Sequence, residues 1–262
     1  QYHNRVFGQG YLMAGNIFLC VTPSLPTMLC QRDIIGLFLV YSYVALVVSV
    51  AMVAKRRYPG CSYRKIVHIL VGNIVFIWWV FEDRWVMGLL AALPFVFILL
   101  LATQRSPFQR LNGSFLGMAT AQGHDLGLVY YAISWTVLAI LLFDHRMAAS
   151  IAIVAMSYGD GIGGLVGKRW GKRRLYDNKT YLGTGAVFVG TALITLIVML
   201  FYNMLSGPMP QLNIPAIDSL CTVAIALLAG TFVATVELVT PGEYDNLIVP
   251  MSTAALMLLV GL

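Results

Sequence analysis

Asp160 stands in the run "SYGDGIGGLVGKRWGKRR", residues 157–174, where a single carboxylate sits among glycines in an apolar stretch and a burst of Lys and Arg follows. An ionised carboxylate at the centre of a membrane span costs ~2.5–3.5 kcal/mol on insertion scales, so an acid kept in such a place usually faces a polar cavity and marks a site. At 100° per residue, Gly164, Gly167 and Gly171 fall within about 40° of Asp160 on a helical wheel. With Gly161 beside it, the acid would look along a groove without side chains, open to a bulky polyanion. Lys168, Lys172 and Lys179 would neutralise phosphates there. Asp160 itself needs a divalent cation between it and a phosphate, because two anions repel, and Mg²⁺ commonly binds through one or two carboxylates plus substrate phosphates. The pattern reads as a nucleotide–metal site at a membrane surface.

Other polar residues fit the same chemistry. Lys65 and His68 lie in "RKIVHIL", Glu237 in "VELVTPGEYDN", and Asp245 and Asn246 just before "LIVP". Acid and amide together make metal ligands, so Asp245 and Asn246 join Asp160 as candidate metal residues, although Asp245 could also serve only as a helix N-cap. His68 or Glu237 could orient or deprotonate a hydroxyl, although Glu237 could instead only snorkel to the surface. Two familiar phosphate motifs fail. Gly159, Gly161 and Gly164 satisfy GxGxxG as a string, but no strand precedes them and no βαβ unit surrounds them. In a P-loop the glycine five residues before Gly167 is required, and Ile162 stands there, with Arg169 in place of the Ser or Thr after the Lys. A packing role competes with the site reading, since Gly159, Gly163, Gly167 and Gly171 form a small-xxx-small ladder that lets helices approach closely.

What must position these residues is a membrane bundle. Of 262 residues, 59% are hydrophobic and only 11% charged, and the mean hydropathy is +0.81. A typical soluble domain carries roughly 25% charged residues. Apolar segments long enough to be membrane spans recur at residues 33–54, 66–81, 85–102, 126–143, 147–167, 182–205, 219–239 and 247–262. The fold class expected is all-α, a polytopic transmembrane bundle of about eight spans, or nine if the Pro-broken apolar segment 6–30 also crosses. It reads as one integral-membrane domain, 1–262, with 1–32 as an N-terminal apolar segment of undecided form. The net charge of +6 needs no nucleic acid. The loops 55–65, 103–125 and 168–181 hold 13 of the 17 Lys and Arg, and the intervening loops few. By the positive-inside rule these loops, and with them 240–246, face the cytoplasm. That would bring Lys65, His68, Asp160, Glu237, Asp245 and Asn246 to one membrane face. Asp33, Glu82, Asp83, Asp144 and Asp218 fall at the other and are assigned no role. Cys20, Cys30, Cys61 and Cys221 show no metal spacing and read as packing residues; a Cys20–Cys30 pair is the remote alternative.

Three segments resemble a known family. "RKIVHIL", "GDGIGGLVGKRWGK…NKTYLGT" and "VELVTPGEYDNLIVP" look like the three ordered blocks of phytol kinases and related polyprenol and dolichol kinases, across residues 64–250. The wider superfamily includes a CTP-dependent diacylglycerol kinase and phosphatidate cytidylyltransferase. The resemblance implies a membrane lipid-alcohol kinase that moves the γ-phosphoryl group of CTP to a prenyl alcohol with Mg²⁺, its active site on the cytoplasmic face among membrane lipids. Where these kinases often carry two acids before the Asn, this chain has Tyr244 and Asp245. "NKTYLGT" lacks the Glu and Pro of the cytidylyltransferase block, which favours a kinase. A cytidylyltransferase making a CDP-activated lipid is the first alternative. An ion-coupled transporter with Asp160 and Glu237 as ion sites is the second.

Overall fold

The computed structural model describes residues 29–58, 62–104, 106–107, 117–118 and 126–262. Nearly all of the expected N-terminal apolar segment, and Arg105, Arg110, Cys20 and Cys61, lie outside the described residues.

In chain order the helices are α1 (Gln31–Arg57), α2 (Tyr63–Val71), α3 (Leu93–Ala102), α4 (Gly127–Leu141), α5 (Arg146–Val154), α6 (Gly161–Trp170), α7 (Tyr181–Ser206), α8 (Ser219–Val239) and α9 (Asp245–Leu259). Short 3₁₀ turns continue α2 as far as Val80. Each apolar segment read as a span is helical. Five continuous helical stretches are long and apolar enough to cross a membrane: Gln31–Arg57, Tyr63–Val80, Phe143–Trp170, Tyr181–Ser206 and Ser219–Val239. Val86–Ala102, Gly127–Leu141 and Asp245–Leu259 are shorter. At 1.5 Å per residue, the 15 residues of α4 rise about 22 Å, less than the ~30 Å hydrocarbon layer. Among the described residues, five of the eight expected spans thus meet the length criterion.

Stretches of π-helix interrupt two of the rods. Val86–Ala92 leads into α3, and Ala155–Asp160 joins α5 to α6. The second lies in the centre of the molecule. From Ala148 to Ser157 no residue exposes any surface, and Ala148, Ala149, Ala152 and Ala155 let neighbouring helices close on this one. Polar side chains inside pair with one another: the Ser150 and Tyr202 hydroxyls are 2.8 Å apart, and Tyr158 donates to Asn73 Oδ1 at 2.6 Å. The outer faces are apolar instead. Phe38, Leu193, Ile197 and Leu220 are all more than half exposed, as suits contact with lipid tails.

Sequence explains the helix ends. Thr180 caps α7 by accepting from the Gly183 N–H at 3.1 Å, and Asp218 caps α8 by accepting from the Cys221 N–H at 2.8 Å. Pro250 lies inside α9 and has no N–H for the carbonyl of Asn246, four residues back. Ser134 of α4, fully buried, donates its hydroxyl to that carbonyl at 2.7 Å. The acids assigned no role hold the opposite end of the bundle together. Asp33 accepts from the Glu82 N–H at 2.8 Å, Arg32 pairs with Glu82 at 2.8 Å, and Arg84 pairs with Asp144 at 2.6 Å. Cys30 donates to Glu82 at 3.0 Å.

One departure from an all-helical chain is small. Arg174–Tyr176 (β1) and Lys179–Thr180 (β2) pair antiparallel. The turn between them places Asp177 at φ 45°, a left-handed conformation that Asp tolerates better than most residues. This hairpin projects Lys179 back toward the bundle.

Candidate functional site

Asp160 ends the buried central helix, and its carboxylate turns toward α2. Lys65 Nζ lies 2.7 Å from each of its oxygens and 3.1 Å from its main-chain carbonyl. The wheel places a wide glycine groove along this face, but the observed groove is shorter. Gly164 is exposed, and the tip of Lys65 lies against it: a Cβ there would stand 2.8 Å from Lys65 Nζ and 3.9 Å from Asp160 Oδ1. Gly167 and Gly171 lie about 10 and 16 Å from Asp160 along the axis, where Thr180 and Gly183 cross. A Cβ at Gly167 would meet Thr180 Oγ1 at 3.1 Å and Gly183 Cα at 3.3 Å, and one at Gly171 would collide with Thr180. Gly161 backs onto Ile69 of α2. The four-residue ladder has its packing role as well: Gly159 faces Thr191 and Val187, and Gly163 faces Val187 and the Gly183 carbonyl, so α6 and α7 sit close.

His68 is 3% exposed, and its Nε2 makes no hydrogen bond to the described residues. The nearest acid is Asp160, at 3.7 Å. Its ring rests on Tyr131, with centroids 4.3 Å apart. Tyr131 donates to the His68 carbonyl at 3.2 Å and lies 2.9 Å from the Ser157 hydroxyl, which in turn donates to the Ile153 carbonyl at 2.7 Å. The imidazole is thus held rigidly from below while one nitrogen stays available.

A second ion pair joins the hairpin to α8. Lys179 Nζ pairs with Glu237 Oε1 and donates to the Glu237 main-chain carbonyl at 2.8 Å. Glu237 is buried rather than snorkelling. Beside this pair, Gly163, Gly164, Gly167, Lys168, Asn178 and Thr180 line part of a cleft of about 260 Å³. Lys168 is exposed at the cleft rim; Lys172 is exposed and does not line it.

Asp245 and Asn246 open α9, both buried, and Asn246 Nδ2 donates to Asp245 Oδ1 at 2.9 Å. The charges of Asp160, Lys65, Lys179 and Glu237 all act on the Asp245 carboxylate, and Lys179 acts on Asp160. The three polar sequence blocks therefore share one electrostatic field at one end of the bundle. The loops meet there too: Lys55 reaches Met118 Sδ at 3.0 Å, Tyr63 donates to the Met118 carbonyl at 3.1 Å, and Tyr130 stacks on Tyr244 at 5.8 Å.

Among the described residues, no three His, Cys, Asp or Glu side chains come close enough to cage an ion. A site that Mg²⁺ shares with substrate phosphates needs only one or two carboxylates, and Asp160 and Asp245 fit that smaller requirement. The residues missed by the sequence reading are Tyr131 and Ser157, which brace His68, and Ser134, which anchors Asn246. All three are small polar or aromatic positions inside apolar runs, where nothing local distinguishes them from packing. Asn178 and Thr180 were visible only as parts of "NKTYLGT".

The chain is 29% identical over 231 residues to a phytol kinase of Synechocystis sp., covering 84% of this chain and 89% of that protein. It is 25% identical over 217 residues to phytol kinase 1, chloroplastic, of Arabidopsis thaliana, covering 80% and 70%. It is also 25% identical over 211 residues to a probable phytol kinase, chloroplastic, of Triticum aestivum, covering 78% and 68%. No family model matches the chain, and no solved structure matches it. The resemblance carried by the three sequence blocks thus extends over most of the chain.

Proposed function

We propose that this relative of the phytol kinases is a single-domain integral-membrane prenol kinase that transfers the γ-phosphoryl group of CTP to a prenyl alcohol at the cytoplasmic face. The observation that carries this reading is the meeting of Lys65, His68, Asp160, Lys179, Glu237 and Asp245 at one end of the bundle, beside a glycine-lined cleft, in a chain so similar to phytol kinases. Phosphoryl transfer asks a protein mainly for positioning and charge neutralisation, and the site offers both.

The triphosphate lies in the cleft of Gly163, Gly164 and Gly167, with Lys168 at its rim and Lys179 at its wall. Lys65 and Lys179 already carry one carboxylate each, so each can turn part of its charge to an incoming phosphate without leaving a bare acid. Asp160 and Asp245, with Asn246 beside them, would hold Mg²⁺, which supplies charge neutralisation on the phosphates. The alcohol oxygen forms a bond to the γ-phosphorus as the bond from that phosphorus to the β-bridging oxygen breaks, and the nucleoside diphosphate leaves. The alcohol proton passes to His68 Nε2, the unoccupied nitrogen nearest Asp160. Asp160 then faces the imidazolium that forms and stabilises it. Glu237, engaged by Lys179, is less suited to that task.

Incubation of the purified protein with geranylgeraniol and CTP, labelled at either the α or the γ position, tests this. Label from the γ position is expected in a lipid monophosphate. Recovery of α-label in a CDP-lipid with release of pyrophosphate would overturn the kinase reading in favour of a cytidylyltransferase, and ATP outcompeting CTP would overturn the donor.

A further inference from the structure

Beneath His68 lies a cavity that the phosphate chemistry does not use. It is enclosed by α1, α2, α3 and α4 and has a volume of about 160 Å³. Among the described residues, His68 is its sole ionisable lining residue apart from the Tyr131 phenol, whose hydroxyl is already engaged; the rest of that wall is Val, Ile, Leu, Ala, Phe and Trp. Val40, Val44 and Val48 line it in a stripe along α1. Eight residues of helix rise about 12 Å, which gives the cavity its length. His68 packs at the Val48 end, as Val67 beside it clusters with Val47 and Ala51. The other end is floored by Ile74, Ala91 and Trp135, and Trp135 is braced edge-on by Trp78 at 4.8 Å.

We infer that this cavity is the binding site for the hydroxyl-proximal part of the alcohol's hydrocarbon tail, roughly the ten carbons that about 12 Å can hold, with the hydroxyl at His68 Nε2 and the tail passing the floor at Ala91 and Trp135. The inference rests on the prenol-kinase reading for the headgroup and adds where the tail goes and what selects it. Three observations converge. The cavity is apolar and, at about 160 Å³, has no room for the paired chains of a bilayer lipid. His68 Nε2 on its wall is buried, makes no hydrogen bond to the described residues, and lies 3.7 Å from the acid of the transfer site. Its floor is small where Ala91 stands, so the tail passes a residue that can be enlarged.

The test compares wild type, Ala91→Phe and, as a control, Leu90→Phe, whose side chain points away from the bundle on the same turn. Melting curves in detergent establish that each is folded; Ala91→Leu replaces Ala91→Phe if the larger residue prevents folding. Two readouts are taken: turnover of geranylgeraniol relative to the five-carbon 3-methyl-2-buten-1-ol, which stops short of Ala91, and the rise in melting temperature that geranylgeraniol produces. Filling the floor is expected to lower the turnover ratio by roughly ten-fold or more and to abolish the melting shift, with Leu90→Phe behaving as wild type. If wild type is a kinase and Ala91→Phe leaves the ratio unchanged, the cavity is not the tail site. If wild type phosphorylates neither alcohol yet the Ala91-dependent melting shift remains, the kinase reading falls and the tail site stands. An equal, Ala91-dependent shift with dioleoylglycerol would overturn the prenol assignment in favour of a bilayer lipid.

Discussion

Lys65 and Asp160 are the same ion pair seen from two sides, yet removing each should have different consequences. Lys65→Met leaves the Asp160 carboxylate at the end of the buried central helix with His68 at 3.7 Å as its nearest cationic candidate. Removing one partner of a fully buried pair costs about 3–5 kcal/mol. The two side chains here keep 24% and 17% of their exposure, so solvent screens part of that and about 2–3 kcal/mol is expected. Asp160→Asn instead leaves an ammonium on a flexible stem that can reach the membrane interface. Its main-chain acceptor, the residue 160 carbonyl at 3.1 Å, also survives. The expected cost is about 1 kcal/mol. In the double variant the stranded carboxylate is gone, so Lys65→Met should add almost nothing to Asp160→Asn. The corresponding coupling energy is roughly 2 kcal/mol. The assay is reversible denaturant unfolding in detergent micelles for the four proteins, beside turnover at saturating Mg²⁺ and CTP. All three variants should lose at least ~100-fold in turnover, because both charges serve the phosphates. Equal costs for the two single variants, with strict additivity in the double, would refute the buried pair. Near wild-type turnover in a folded Asp160→Asn would refute the site.

Three further outcomes follow from the packing. Gly163→Ala should destabilise by about 1–3 kcal/mol, because its Cβ collides with Val187, whereas Gly185→Ala on α7, where nothing lies within 4 Å, should stabilise by about 0.5–1 kcal/mol; chemical unfolding of both checks this. Ser134→Ala should cost about 1–3 kcal/mol by stranding the Asn246 carbonyl, and adding Pro250→Ala should recover most of it, because residue 250 then supplies the missing N–H; unfolding of the single and double variants decides. Glu237→Gln should release Lys179, raise KM for CTP and speed tryptic cleavage at Arg173 and Arg174, while leaving the geranylgeraniol melting shift intact.

The helices and the identity of the polar end were legible because both depend on local pattern. A run such as 182–205 is long and apolar enough for a membrane helix, and Lys and Arg mark which loops share a face. The four-residue glycine ladder was legible as packing for the same reason. Partners were not. Lys65 and Asp160 are 95 residues apart, and Lys179 and Glu237 are 58 apart, so no spacing announces either pair. The wheel also treated the glycine face as open over its length, while Thr180 and Gly183 cross it, and a wheel contains no neighbouring helix. The tail cavity was wholly hidden, because Val40, Ala91 and Trp135 look like any other apolar residues until four helices bring them together. Hydropathy marks short helices such as α4 as spans alongside the five stretches that are long enough to cross a membrane.

The π-helical turn at Ala155–Asp160 gives the central rod two rotational phases. A π turn accommodates one residue more than an α turn over nearly the same rise, which turns everything beyond it by roughly 100°. Upstream, every face of Ala148 to Val154 must suit a fully enclosed position. Downstream, Gly163 must meet α7 while Gly164, one step round, must meet Lys65. An uninterrupted α-helix would carry Gly163 and Gly164 together to a different angle relative to the enclosed half. The single extra residue therefore acts as a gear between a scaffold half and a chemical half. The loss of one codon anywhere in that turn would leave a continuous, equally hydrophobic helix, yet the glycine ladder would no longer face α7 and the acid would no longer face its lysine.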